Sequence, residues 1–318
     1  MPNWKPTADV AALKKRAEIL QQIRRFFADR HVLEVDTPLL SPTTVTDPHV
    51  AGIPAIFQPN GMPAQTVYLQ TSPEYAMKRL LAAGMGSIYQ ICKAFRQGDL
   101  GRVHQPEFTM LEWYRIGFDH HALMDEMDAL LQQVLNTQPA ERMSYAALFE
   151  SVLEINPHTS SLSDLIHCIE QHNITLLSAP TDQDTALMLL LTHCIEPVIG
   201  QQKPFFLYDF PLSQAALARI RIHETPPVAS RFEVYFKGLE LANGFHELHE
   251  AAEQRARFEA DIRYRREHNM LIPPIDELFL EALKAGLPDC SGVALGVDRL
   301  IMIALGVNSI EDVVSFGF

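Results

Sequence analysis

Phe95-Arg96-Gln97-Gly98-Asp99-Leu100-Gly101-Arg102-Val103-His104-Gln105-Pro106-Glu107-Phe108-Thr109-Met110-Leu111-Glu112-Trp113-Tyr114 runs out of one strand and into another. The apolar run Ile88-Tyr89-Gln90-Ile91 before it and the run from Phe108 to Tyr114 read as strands, joined by a polar loop over 97–105. The loop concentrates Arg96, Arg102 and His104, and the second strand carries Glu112 and Tyr114. Arginine offers a planar fork of donors that suits phosphate oxygens. On these residues alone, a solvated loop with scattered charge is the plainer reading.

Upstream, Val67-Tyr68-Leu69-Gln70 reads as a strand, and Ser72-Pro73-Glu74 as a helix start with a capping serine and proline at the first helical position. Further back, Val10, Leu13, Ala17, Leu20, Ile23 and Phe27 recur at three- and four-residue spacing, which predicts a helix over 7–30. It breaks into a β-prone run over 31–38 that ends at Pro38. Downstream, 120–202 reads as mostly helical and chemically quiet, a peripheral insertion. Strands are expected at 205–208, 232–236 and 239–245, then a charged helix over 251–269. Gly292 opens a last strand that runs into an apolar helix ending near Leu305. Strands joined by short loops and flanked by helices argue for a mixed, largely antiparallel α+β domain. The expectation is one domain over 1–318, with the helical insertion at about 120–202.

Two further places could carry chemistry. In Glu240-Leu241-Ala242-Asn243-Gly244-Phe245-His246-Glu247, the two glutamates are seven apart, so a regular strand would point them to opposite faces. A bulge at Asn243-Gly244 would converge them, and two carboxylates suit a hard cation bridging phosphates. Surface charge beside a turn is the competing reading. His246 and His249 lack the spacing of a helical zinc pair and are read as structural or surface residues. In Gly292-Val293-Ala294-Leu295-Gly296-Val297-Asp298-Arg299, glycines allow close backbone approach, and Arg299 falls at the start of a helix. Taken alone, an Asp-Arg pair there is usually a cap and salt bridge.

Composition narrows the classes. The 318 residues carry 26 basic and 39 acidic side chains, a net charge of -13, which opposes approach to a phosphate polymer. No run approaches the roughly 20 apolar residues of a bilayer span, and the N-terminus has no secretory pattern. Cys92, Cys168, Cys194 and Cys290 are scattered with no CxxC pair, so a cytoplasmic protein with reduced thiols is expected. Neither GxxxxGK[ST] nor GxGxxG occurs, so any nucleotide must be held by side-chain cations and metal carboxylates.

Together and in this order, the three places resemble the defining motifs of class II aminoacyl-tRNA synthetases. Glu34-Val35-Asp36-Thr37-Pro38 resembles the first, dimer-forming motif. The stretch from Phe95-Arg96 through Glu112-Trp113-Tyr114 resembles the second, and Gly296-Val297-Asp298-Arg299 the third. The strings RxHxPEFTMLExY and ELANGFxEL are specific to the lysyl branch. Pro38 already falls within the first motif, so the reading leaves no room for the anticodon-binding barrel of a lysyl-tRNA synthetase. A free-standing lysyl-type core resembles the elongation factor P (R)-β-lysine ligase family. The resemblance implies ATP-dependent activation of (R)-β-lysine, or lysine, as an aminoacyl adenylate. Transfer to a lysine side chain of elongation factor P would follow, in a cytoplasmic homodimer, with tRNA disfavoured as acceptor. A truncated lysyl-tRNA synthetase and a non-catalytic synthetase-like binding module remain the alternatives.

The resemblance also implies roles. Arg96 should grip the α-phosphate and Arg299 the γ-phosphate, with His104 and Gln105 in a loop closing over ATP. Gln97, Gly98, Leu241 and Gly296 would line the nucleotide, and Glu240 and Glu247 would hold Mg2+. Glu112 and Tyr114 should receive the ε-ammonium, an anion and hydroxyl suited to a buried cation. Glu74, behind Ser72 and Pro73, should meet the other amino group, with Asn243 near the carboxylate and Glu247 and Ala294 lining the pocket. Two positions depart from the lysyl-tRNA synthetase pattern. Gly98 stands where a glutamate contacts adenine, leaving Asp99 or backbone groups to take over. Ala294 replaces a glycine, a change shared with the ligase family and expected to favour a β-amino substrate.

Overall fold

Asp9 caps the first helix, its side chain accepting from the Ala12 amide at 2.6 Å, so the helix spans Val10–Ala28 rather than the expected 7–30. It ends short of His31, whose φ of 55° is left-handed. In this computed structural model, which describes residues 4–98, 100–176 and 178–318, the chain packs as two compact units. One comprises the residues up to Phe118 together with His249–Phe318, and the other is Asp119–Leu248.

In the first unit the β-prone run narrows to the strand Leu33–Glu34, parallel to Ile88–Phe95. Ile88–Phe95 pairs antiparallel with Glu107–Ile116, which pairs antiparallel with Cys290–Gly296. A separate sheet holds Leu40–Ser41, Gln65–Leu69 and Pro54–Phe57 in that order. Helices Glu74–Ala82, Ala251–Glu267, Glu277–Gly286 and Val297–Leu305 complete this unit. Its aromatic core has Phe27 stacked on Tyr89 at 4.5 Å and edge-on to Trp113 at 5.3 Å.

The strands of the second unit are mostly antiparallel. Phe205–Phe210 pairs with Val228–Phe236, which pairs with Leu239–His246. The stretch expected as a helical insertion supplies helices His120–Leu135, Tyr145–Leu153, Leu162–Gln171 and Gln183–Leu190. It also supplies one strand, Glu141–Ser144, parallel to Phe205–Phe210, which the helical reading omits. Tyr145, Phe149, Leu165, Leu187 and Phe210 form the buried core of this layer. Both units are α+β, with mostly antiparallel strands flanked by helices. Among the described residues no helix is long and apolar enough to cross a membrane.

Candidate active site

Glu112 sits in the middle of three strands, with Gln90 opposite it on one side and Ala294 on the other. Only 2% of its surface is exposed. Glu112 and Tyr114 are two apart in a strand and therefore share a face. The Tyr114 hydroxyl donates to Glu112 Oε1 at 2.7 Å, and Ser72 Oγ donates to Oε2 at 2.8 Å. Both oxygens keep further lone pairs, so the carboxylate remains an acceptor for a cation. Burial pushes the Glu112 carboxyl up to about 7, nearby Glu74 adds to the rise, and the Tyr114 and Ser72 hydrogen bonds and Lys78 oppose it.

Ser72 has a different local role from the expected cap. The cap position is Pro73 and the helix starts at Glu74, while Ser72 Oγ accepts from the Glu74 amide at 3.0 Å. That geometry lets one hydroxyl fix the helix start and donate to Glu112. It places Ser72, Glu74, Glu112 and Tyr114 in one hydrogen-bonded group, with Ala294 directly across the sheet.

The polar loop builds a second group in the same unit. Gly101 and His104 exchange backbone hydrogen bonds at 3.1 and 3.2 Å, closing a tight hairpin. Arg299, in the first turn of Val297–Leu305, reaches into it: Nη2 lies 2.6 Å from His104 Nε2, and Nε donates to the Val103 carbonyl at 3.4 Å. A guanidinium has no lone pair to offer, so His104 Nε2 is the acceptor and a neutral ring carries its proton on Nδ1. Arg96 lies over the Phe108 ring at 5.3 Å, and its Nε is buried without a hydrogen-bond partner. Buried donors of this kind are costly unless something accepts from them, so an incoming anion fits the position. Gln105, expected in a loop over nucleotide, is buried, and its side-chain oxygen accepts from the Phe318 amide at 2.9 Å. Gln97 is exposed, with its amide bound to the Ala51 carbonyl at 2.8 Å. Gly98 has φ 89°, a conformation that explains glycine there by backbone rather than by space, since nothing lies within 4 Å of where a Cβ would stand. Asp99, the expected substitute for adenine contact, lies outside the described residues. Gly296 caps the final helix through its backbone.

In the second unit the expected bulge is displaced. Asn243 and Gly244 keep regular register with Glu233 and Phe232, and the slip falls where Val234 faces Ala242 and Tyr235 faces Glu240. The extra residue is therefore Leu241, whose apolar side chain is buried, while a turn at Lys237-Gly238 sits just beyond. Glu240 is exposed and Glu247 buried. No group of three or more metal-ligating side chains occurs among the described residues. Mg2+ keeps waters and substrate phosphates beside one or two carboxylates, so a pair such as Glu240 and Glu247 fits that ion better than a protein-only cage does. Arg231 Nε donates to Asn243 Oδ1 at 3.1 Å, which leaves the Asn243 amide nitrogen as a donor. Arg231 also binds the Gln214 carbonyl at 2.7 Å and pairs with Glu233.

Three residues outside the sequence reading support these groups. Lys78 is 1% exposed and lies 2.6 Å from Glu74. The Glu-to-Lys spacing of four on a helix was the available signal. Arg16 left none, because its partners Thr109 and Asp298 are far along the chain, and the partners of Arg231 follow from strand pairing and a loop carbonyl rather than from a spacing pattern. Arg16 meets Asp298 at 2.6 Å and Thr109 Oγ1 at 2.7 Å, and Asp298 accepts from the Thr109 amide at 2.7 Å. Asp298 is thus the salt-bridge feature that an Asp-Arg helix start suggests.

A profile for tRNA synthetases class II (D, K and N) matches residues 7–318. A chain from Vibrio atlanticus named "Elongation factor P--(R)-beta-lysine ligase" is 55% identical over 318 residues, 99% of this chain and 98% of its own. One of the same name from Vibrio cholerae serotype O1 is also 55% identical, with the same coverage. A third, from Salmonella gallinarum, is 53% identical over 316 residues, 99% of this chain and 97% of its own. This chain belongs to the class II tRNA synthetase family of the D, K and N type, in the company of relatives named as elongation factor P (R)-β-lysine ligases.

Proposed function

We propose that this chain uses ATP to activate (R)-β-lysine, or lysine, as an aminoacyl adenylate and ligates it to a lysine side chain of elongation factor P. The observation that carries the reading is the 53–55% identity, over 99% of this chain, to relatives named for that ligation. The buried Glu112, held by Tyr114 and Ser72, is the kind of acceptor an ε-ammonium needs. Glu74 serves the second amino group and the Asn243 amide nitrogen the substrate carboxylate. Ala294, opposite Glu112, adds one methyl to the pocket.

In the first half-reaction the substrate carboxylate oxygen attacks the α-phosphorus, the bond to the β-phosphate oxygen breaks, and pyrophosphate leaves. Arg96 offsets charge at the α-phosphate and Arg299 at the γ-phosphate, so the protein contributes positioning and electrostatics. Mg2+, held by Glu240 and Glu247, would add positive charge along the phosphates. In the second half-reaction the acceptor amine attacks the acyl carbon and AMP leaves. The enzyme works in the cytoplasm as a homodimer, with elongation factor P rather than tRNA as acceptor.

The test is ATP–pyrophosphate exchange with (R)-β-lysine and with α-lysine, followed by mass measurement of elongation factor P. Exchange plus an added lysyl mass on the factor is expected. Charging of tRNA without modification of the factor would make the chain a truncated lysyl-tRNA synthetase. Exchange with neither amino acid would make it a binding module.

A further inference from the structure

Lys78 is among the most buried charged side chains of the described residues, at 1% exposure. A lysine so placed shifts or loses its charge unless an anion accompanies it. Glu74 does so at 2.6 Å, one helical turn away, and the Phe279 ring lies 5.7 Å from the ammonium. The Glu74 amide is bonded to Ser72 Oγ, and Ser72 Oγ donates to Glu112. A continuous chain, Lys78–Glu74–Ser72–Glu112–Tyr114, therefore connects the helix Glu74–Ala82 to the central strand.

Glu74 and Glu112 bring two carboxylates to this cluster and Lys78 one ammonium. A lysine-type substrate carries two ammonium groups and one carboxylate, hence one uncompensated positive charge. Without Lys78 the two carboxylates would repel each other across a buried space, and one would hold a proton.

We propose that Lys78 is a positioning residue for the amino-acid pocket: it fixes Glu74 and offsets that carboxylate's repulsion of Glu112, keeping Glu112 ionised for the incoming ammonium. The proposal rests on the reading of Glu112 as the ammonium acceptor. The neighbours of Glu112 in the sheet bring no charge of their own. On its own strand Tyr114 is a neutral donor. On the neighbouring strand Gln90 is neutral, and the Cys92 thiol is pushed up to about 12 by burial and then by Glu112 itself. Across the sheet stand Ala294 and Gly292. Behind Lys78, the phenol of Tyr75 stays protonated by burial, with Glu74, Asp261, Asp276 and Asp47 reinforcing it.

The experiment reads the Glu112 carboxyl directly, by carbon-detected NMR titration of glutamate-labelled protein, alongside exchange kinetics. In Lys78→Met the Glu112 midpoint should rise by about one pH unit or more, a tenfold change in proton affinity. Adding Glu74→Gln to Lys78→Met should bring it back down, and Lys78→Arg should hold it near wild type. The acid limb of amino-acid-dependent exchange should move with the midpoint, through KM more than kcat. A Glu112 midpoint that is the same in wild type, Lys78→Met and the double variant would overturn the proposal, whether or not exchange occurs. Absence of exchange in wild type, with the midpoints moving as stated, would instead overturn the activation reading alone. Should Lys78→Met fail to fold, the Lys78→Arg and Glu74→Gln single variants carry the same titration. There, a Glu112 midpoint unmoved by Glu74→Gln overturns the proposal.

Discussion

Tyr114 and Glu112, two residues apart on one strand, are joined by a hydrogen bond of 2.7 Å inside the protein, where the carboxylate is 2% exposed. A hydroxyl donor on a buried acid favours its ionised form, while burial favours the protonated one, and here burial prevails. The resulting pKa of about 7 places the charge change of Glu112 inside the working range of an enzyme. Below that pH the group is protonated and offers a cation no charge; above it the carboxylate is available. The KM for the amino acid should therefore fall as pH rises through about 7, which initial-rate exchange across pH 5.5–8.5 would read. Glu112→Gln should flatten this dependence. It should also raise KM at least about 30-fold, from the roughly 2–5 kcal/mol that truncating one member of a buried charge pair costs.

Arg96 should be indispensable to the first half-reaction. Its Nε is buried without a partner over the Phe108 ring, so it is held ready for an anion. Arg96→Ala should lower exchange by about 100- to 1,000-fold, the usual effect of removing one stabilising donor from a transition state. Arg96→Lys should recover little, because a point charge does not reproduce the planar fork. Near-wild-type exchange in Arg96→Ala would sink the catalytic reading.

Ala294 stands directly across the sheet from Glu112, so the two side chains share one face. Replacing it with glycine should shift the ratio of kcat/KM for (R)-β-lysine over α-lysine towards α-lysine by about 10- to 200-fold, the range for one methyl group. Competition exchange assays with the two amino acids measure that ratio. An unchanged ratio would remove Ala294 from substrate selection.

The sequence made the main strands of the first unit legible, because Ile88–Phe95, Glu107–Ile116 and Cys290–Gly296 each keep a long apolar or β-prone run, while their order did not show. The resemblance of Phe95–Tyr114 to the second synthetase motif singled out Glu112 and Tyr114, and the structure joins them by a hydrogen bond. The Leu241 bulge escaped because Asn243-Gly244 carries the turn-like chemistry, whereas the register slip is set by Val234 and Tyr235 on the partner strand. Ser72 looked like a cap because local pattern does not reveal that Glu112, 40 residues on, draws its hydroxyl. The strand Glu141–Ser144 lay hidden among helices, with its pairing partner some 60 residues away at Phe205–Phe210.

Gly98 invites a test of one of the two positions that depart from the lysyl-tRNA synthetase pattern. Its φ of 89° is a conformation that side chains resist. Gly98→Glu should cost about 1–2 kcal/mol of stability through backbone strain, read as a lower midpoint in denaturant titration. The KM for ATP should not improve, because the strained turn would not hold the glutamate in a productive position. A tighter KM for ATP with unchanged stability would mean that the turn accepts a side chain after all.

Asp298 offers the sharpest stability test, because it binds three elements at once. Its carboxylate meets Arg16 of the first helix at 2.6 Å and the Thr109 amide of the central strand at 2.7 Å, from the start of the last helix. Only 3% of its side chain and 14% of that of Arg16 are exposed, so neither charge has water as a substitute partner. Asp298→Asn should leave Arg16 buried without its anion and destabilise the protein by about 3–5 kcal/mol. Arg16→Met with Asp298→Leu, which removes both charges, should recover part of that loss, because an ion pair deleted whole leaves no orphan. Chemical denaturation of the single and double variants measures the difference. If the double variant is no more stable than Asp298→Asn, the Thr109 hydrogen bonds rather than the ion pair hold this junction.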